Sequence, residues 1–333
     1  MKRSIPALVS VVAVAGVLVL LPFIISDYNT FLVGEVGIYF IAVLGLNILT
    51  GYTGQISIGH GAFMAIGGYT LAILSRDHQM NLVYGTLIAF ALCFAAGLAF
   101  GLLALRLSGA YLALATFALA ISVTQLPLQY STYLGGSLGV QASSKTDHLF
   151  GWSLFGVHIP RWSLPGPAVL TNKWIFGVAW SFAAVLLVLA WLILRGRVGR
   201  AFRAVRDSEI AAVASGVERG LYKTLAFGIS AAYCGAAGAI FVMANNGFAQ
   251  PDEFNVALSL TLLIGAAVAG LGSLWGVLVG AAFVGLLPNI STSIPHLGGH
   301  QDVIYGAAVI VVMLVAPSGF AGLLARLRLL RRA

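Results

Sequence analysis

Long uncharged runs separated by short polar breaks make up most of this chain, and their lengths predict its elements. A helix that crosses a bilayer needs about 20 apolar residues. Arg3 and Asp27 enclose 23 uncharged residues, enough for one span. Glu35 and Arg76 enclose 40, enough for two. Asp77 to Arg106, Lys173 to Arg195 and Lys223 to Asp252 enclose 28, 21 and 28, one span each. Arg106 to Lys145 encloses 38, but its second part is polar and glycine-rich, so one span is expected near 109–130. Glu253 to Asp302 encloses 48, for two, and Asp302 to Arg326 encloses 23, for a last one. The pattern predicts an all-α, polytopic membrane bundle of about ten helices, forming one transmembrane domain over residues 1–333. Two polar regions interrupt it, an outer segment over 131–173 and a basic segment over 195–224.

Composition agrees. The chain is 60% hydrophobic and 8% charged, whereas soluble domains carry about 25% charged residues. That excludes a soluble enzyme, a nucleic-acid binder and an anchored globular domain. Uniformly apolar runs also disfavour a barrel, whose strands alternate apolar and polar residues. The net charge is +8, and its placement matters more than its size. With residues 1–6 cytoplasmic, alternation of ten helices puts 14 of the 18 basic residues on the cytoplasmic side, as the positive-inside rule requires. The segments expected there are the turns near 51–56, Arg106 and 271–273, the segment 195–224, and residues 318–333. The first apolar run extends to Ser26 without a small-x-small cleavage signal, so a retained helix is expected rather than a signal peptide. Cys93 and Cys234 lie in apolar runs and read as buried small residues.

The segment 195–224 holds a candidate helix. Asp207 or Ser208 suits an N-cap, Glu209 falls in the first turn where the helix dipole favours an anion, and Gly216 is a natural stop. Its alanines, including Ala211 and Ala212, would let another surface approach closely. Two readings stand side by side: a docking peg for a soluble partner, and a solvated basic loop that sets topology or touches anionic lipid.

Glycine marks two further stretches. Residues 51–68 contain six glycines together with Gln55, Ser57 and His60, and residues 265–280 are similarly interrupted. Broken membrane helices free backbone groups that must be buried in protein or line a wet cavity. Gln55, Ser57 and His60 are therefore candidates for a solute path. The alternative is small-residue helix packing, with His60 as a hydrogen-bonded packing residue. The comparable positions of the two stretches hint at two related halves.

Other chemistry has no signature. There is no P-loop, no zinc-ligand cluster and no serine-nucleophile elbow, so no cofactor, metal or catalytic residue is expected in this chain. The spans carry no buried acid, with Glu35 at an edge and Asp302 opening the last one. This argues against a proton-driven transporter and leaves a sodium-coupled one or a passive channel as alternatives.

Three motifs carry a resemblance: Gly51-Tyr-Thr-Gly-Gln-Ile-Ser-Ile-Gly-His60, Gly199-Arg-Ala-Phe-Arg-Ala-Val-Arg-Asp-Ser-Glu-Ile-Ala-Ala212 followed by Gly216-Val217, and Gly270-Leu-Gly-Ser-Leu-Trp-Gly276. With the hydropathy between them, over roughly residues 30–320, the chain resembles the LivM-like permease subunits of bacterial ABC importers for branched-chain amino acids. The resemblance implies an inner-membrane permease fold of two related halves, with both ends of the chain cytoplasmic. It implies a second, related permease subunit, two cytoplasmic ATPase subunits that bind the ATP, and a periplasmic solute-binding protein. It assigns ATPase coupling to 208–215. Arg200, Arg203, Arg206, Asp207 and Glu209 would orient the segment, and Ala211, Ala212 and Gly216 would allow close approach. A charge at Ala212 would then uncouple transport without disturbing the fold. Urea, short amides and aromatic acids are the alternative solutes. Two departures stand out: Glu209-Ile-Ala-Ala-Val-Ala-Ser-Gly216 replaces the Glu-Ala-Ala-x-x-x-Gly of many importers, and Gly61 stands where relatives often have Ala.

Overall fold

Ser26 opens the first long helix by accepting a hydrogen bond from the Asn29 amide at 3.4 Å. The computed structural model describes residues 24–142 except 79 and 108, residues 153–154 and 157–158, residues 172–292, and scattered helical residues at 22 and between 306 and 322. The expected first span, the last span and most of the outer segment therefore lie outside the described residues.

Helix α1 runs Asp27–Leu46 and ends in a single π turn, Asn47–Gly51. After an irregular stretch come α2 (His60–His78), α3 (Leu82–Ala104), α4 (Ala110–Gln129) and the short α5 (Ser131–Leu134). Three two-residue strands follow, β1 (Val140–Gln141), β2 (Ser153–Leu154) and β3 (Val157–His158), the last two paired antiparallel. Then come α6 (Asn172–Arg195), α7 (Arg197–Asp207), α8 (Glu209–Ala214) and α9 (Arg219–Ala244). Strand β4 (Phe248–Ala249), α10 (Val256–Ala269) and α11 (Gly276–Thr292) complete the order. Strand β4 pairs antiparallel with β1.

Six of these segments are long and apolar enough to cross a membrane: Asp27–Gly51, Leu82–Ala104, Ala110–Gln129, Asn172–Arg195, Arg219–Ala244 and Pro251–Ala269. The helices expected between Glu35 and Asp302 all occur, with α2 and the shorter α11 beside the six. One expectation is corrected. Glu35 is not at an edge, because α1 starts eight residues earlier, about 12 Å along the axis.

Small residues decide the packing. Helix α9 is rich in Ala and Gly, is buried along most of its length, and packs against α1, α2 and α3. Backbones meet closely there: a methyl added to Gly67 would run into the Gly235 carbonyl, and one added to Gly238 into that of Met64. Lipid gives no hydrophobic drive between helices, so close approach and dispersion must supply the attraction. Helices α3, α4 and α6 are exposed along most of their apolar length, and so lie at the periphery.

Tertiary contacts gather the turns at two ends. At one end Gly51 meets Arg206, Asn47 meets Ser273, and Gln55 meets Lys223. These are segments expected on one side of the membrane. At the other end Arg76 pairs with Asp77 and donates to the Tyr133 carbonyl, near the turns that carry β1 and β4.

Candidate functional site

The basic segment forms two helices, not one helix in a loop. In α7, Gly199, Ala201, Phe202 and Val205 are buried while Arg200, Arg203 and Arg206 are exposed. The Phe202 ring packs edge-on to Tyr222, with centroids 6.3 Å apart. This stripe is amphipathic at helical spacing, but arginine at every third position hides it in a reading that counts charge.

Ser208 separates the two helices and caps the second, accepting from the Ala211 amide at 3.3 Å. The predicted stop is also present. Gly216 has φ +81°, its amide donates to the Val213 carbonyl at 3.0 Å, and the Val217 amide donates to Ala212 at 2.9 Å. That is a Schellman ending, which uses carbonyls the helix leaves free. A six-residue helix is unstable alone, and Glu209 ties this one down. Its carboxylate accepts from Arg219 at 3.2 Å and from Lys223, both on α9. Partial burial pushes the Glu209 pKa up, but the Lys223 and Arg219 partners outweigh it and leave the net shift downward.

The surface of α8 differs from expectation at one position. Ala212 is 3% exposed and faces the bundle. It cannot offer close approach to another subunit, and a charge there would prise α8 off its support. The outward face is Ile210, 85% exposed, and Val213, 55% exposed, with Ala211 beside them. Arg200 and Asp207 are exposed without a polar partner among the described residues, and Arg203 reaches the Leu194 carbonyl at 3.5 Å.

Arg206 behaves differently. Its Nη1 donates to the Gly51 carbonyl at 2.6 Å, at the end of the π turn. Carbonyls at a helix end lack intrahelical partners and carry the negative pole of its dipole. A guanidinium is well matched to that position. Beside it, Asn47 on the same turn accepts from the Gly272 amide at 2.9 Å and donates to the Ser273 carbonyl at 3.0 Å. A methyl on Gly51 would collide with Asn47 Oδ1 and Gly272 N, and Gly272 has φ +85°. The three motifs read from the sequence thus meet at one point, which spacing along the chain gives no means of seeing.

Beyond Gly51 the chain is irregular from Gly54 to Gly59 before α2 begins, so the expected interruption is real. Gln55, Ser57 and His60 all point inward and are buried. Gln55 Nε2 donates to Thr53 Oγ1 at 3.0 Å and to the Lys223 carbonyl at 3.4 Å. Ser57 Oγ lies 3.0 Å from His60 Nδ1, His60 Nε2 lies 2.6 Å from Ser230 Oγ, and Ser230 donates to the Gly45 carbonyl at 2.7 Å. The Gly45 bond uses the only Ser230 proton, so the network assigns the His60 proton to Nε2, with Nδ1 accepting from Ser57. His60 is a satisfied packing residue that pins α2 to α9. Gly61 is explained locally: its amide donates to Ser259 Oγ at 2.9 Å, and an added methyl would sit 2.5 Å from that oxygen.

The family described as the permease component of the branched-chain amino acid transport system matches residues 28–316. The chain belongs to this permease family. It is 32% identical over 314 residues to the high-affinity branched-chain amino acid transport system permease protein LivM of Salmonella typhimurium, covering 90% of this chain and 71% of that protein. LivM of Escherichia coli K12 is 31% identical over 312 residues, with the same coverage. LivH of Escherichia coli K12, named as a permease protein of the same kind of system, is 25% identical over 301 residues, covering 85% of this chain and 91% of that one. No solved structure matches the chain significantly. This permease is therefore a multi-pass membrane protein and a LivM-like transport subunit.

Proposed function

We propose that this permease is the LivM-like subunit of an ATP-driven importer, and that branched-chain amino acids are its solutes. The observation that carries the coupling reading is α8. A capped six-residue helix is clamped to α9 by charge and presents Ile210 and Val213 to solvent at the basic end of the bundle. Exposed apolar residues on a well-held helix suit a groove on a soluble partner. In this reading ATP is bound by two separate cytoplasmic ATPase subunits. A second permease covers part of the apolar periphery, lipid covers the rest, and a periplasmic binding protein delivers solute to the far end. Residues 1–333 form about ten spans in two related halves, both ends of the chain lie in the cytoplasm, and the membrane is the bacterial inner membrane. The basic end then faces the cytoplasm, as the charge distribution supports. Arg200, Arg203 and Asp207 would set the approach of the partner, Ala211 and Gly216 would let it come close, and Ala212 would hold α8 from within. Gln55, Ser57 and His60 would shape the solute path by fixing the backbone of 54–59 rather than by touching solute.

The test is purification in mild detergent with and without the double substitution Ile210→Asp, Val213→Asp. The parent should bring down a P-loop ATPase and a second permease, and reconstituted vesicles should take up leucine only with ATP. The double variant should keep the second permease and lose the ATPase. A parent that purifies alone and still moves leucine would favour a channel or a secondary transporter.

A further inference from the structure

In this fold α8 sits at the rim of the bundle and the interruption of α1 lies inside it. Any movement of α8 by a partner must reach that interruption through some contact. Beside the Phe202–Tyr222 packing and the Arg203 bond to the Leu194 carbonyl, two charged connections run from the α7–α8 unit towards α9 and α1. Glu209 ties α8 to the start of α9, through Arg219 and Lys223. Helix α9 is long and buried among α1, α2 and α3, so this tie anchors α8 to the most buried helix of the bundle. The other connection is Arg206, one residue before the end of α7 and three before α8, bonded to the Gly51 carbonyl. Gly51 closes the π turn, and extra-turn geometry of this kind is a frequent place for a helix to bend or re-register. Beside the Arg206 contact, the same turn is held by the Asn47 bridge to Gly272 and Ser273.

We propose that Arg206 is the strut that carries displacement of α7–α8 into the interrupted end of α1, with Asn47 passing it on to the α10–α11 turn. The proposal deepens the coupling reading and rests on α8 being the surface that the ATPase moves. The chemistry suits the task. A charge-assisted hydrogen bond to a helix-terminal carbonyl is short and directional, and it joins two elements 155 positions apart in sequence. Because the Arg206 guanidinium is engaged by the buried Gly51 carbonyl, it is a positioning residue for transport and not part of the docking surface.

The experiment uses the whole complex in vesicles and reads three quantities: ATPase retained on purification, ATP hydrolysed, and leucine taken up. Arg206→Met should keep the ATPase bound and hydrolysing, while leucine moved per ATP falls at least about tenfold, the size of effect expected for losing a hydrogen bond to a charged group. Arg206→Lys should recover part of the loss, since an ammonium can still donate to the Gly51 carbonyl. Asn47→Ala should lower the ratio in the same direction. An unchanged ratio in Arg206→Met overturns the strut. Loss of the ATPase from that variant also overturns it, by making Arg206 a docking residue. So does a parallel fall of uptake, hydrolysis and thermal midpoint, which would make the contact merely structural. The Ile210→Asp, Val213→Asp variant separates the two readings: if it retains the ATPase, the coupling reading fails whatever Arg206 does.

Discussion

Glu209 shows how much a single residue does here. It supplies the first-turn anion that the helix dipole favours, and it ties a helix too short to stand alone to α9. The sign of its pH dependence follows from its downward-shifted pKa. A carboxyl held below its unfolded value stabilises the fold above the unfolded pKa and stops doing so as pH falls through the folded one. The clamp is therefore constant from pH 6 to 8 and is lost only below the ordinary glutamate value of 4.5. Hydrogen exchange of the α8 amides, corrected for intrinsic rates, should be flat from pH 6 to 8. In Glu209→Gln it should be faster throughout that range. At this scale the cap, the first-turn acid and the glycine stop were all legible, because capping depends on local residue types. The inward turn of Ala212 was not, because the sequence of α8 does not say which side its support lies on.

At the scale of elements, glycine serves two purposes that look alike in sequence. Gly51 to Gly59 bound a true interruption, whereas Gly67 and Gly238 let α2 and α9 meet backbone to backbone. Gly265 and Gly280 do the same for α10 and α11, since a methyl on Gly280 would collide with the Gly265 carbonyl. Gly67→Ala should cost about 1–3 kcal/mol, the usual range for overpacking a filled interface. It should show as a lower thermal midpoint of the detergent-purified protein. Gly177, which has nothing within 4 Å of an added methyl, should tolerate alanine with no such drop. Helix α7 is the element that a count of charges misses. Its buried stripe consists only of Gly199, Ala201, Phe202 and Val205 and is flanked throughout by arginine.

At the scale of the whole molecule, the two ends differ in kind. The end holding α7, α8 and the turns near 51–59 and 270–275 carries the arginines of α7 and Arg219. The opposite end carries the β1–β4 pair and the Arg76–Asp77 ion pair. If the basic end is cytoplasmic, Val213→Cys should react with a membrane-impermeant maleimide only in inside-out vesicles, and Leu138→Cys, 81% exposed, only in right-side-out ones. The natural Cys93 and Cys234 are buried, so they leave the background low.

The sequence by itself determined the class and the order of this molecule. Hydrophobicity, charge-free length and capping are local quantities, and lipid makes them decisive by forbidding unpaired backbone. It also identified the three motifs that matter. Only the tertiary structure decided that they meet, that Gln55, Ser57 and His60 face inward, and that Arg206 reaches Gly51. Those facts depend on which helix faces which, set by close contacts between small residues far apart in the chain, and no local pattern encodes them.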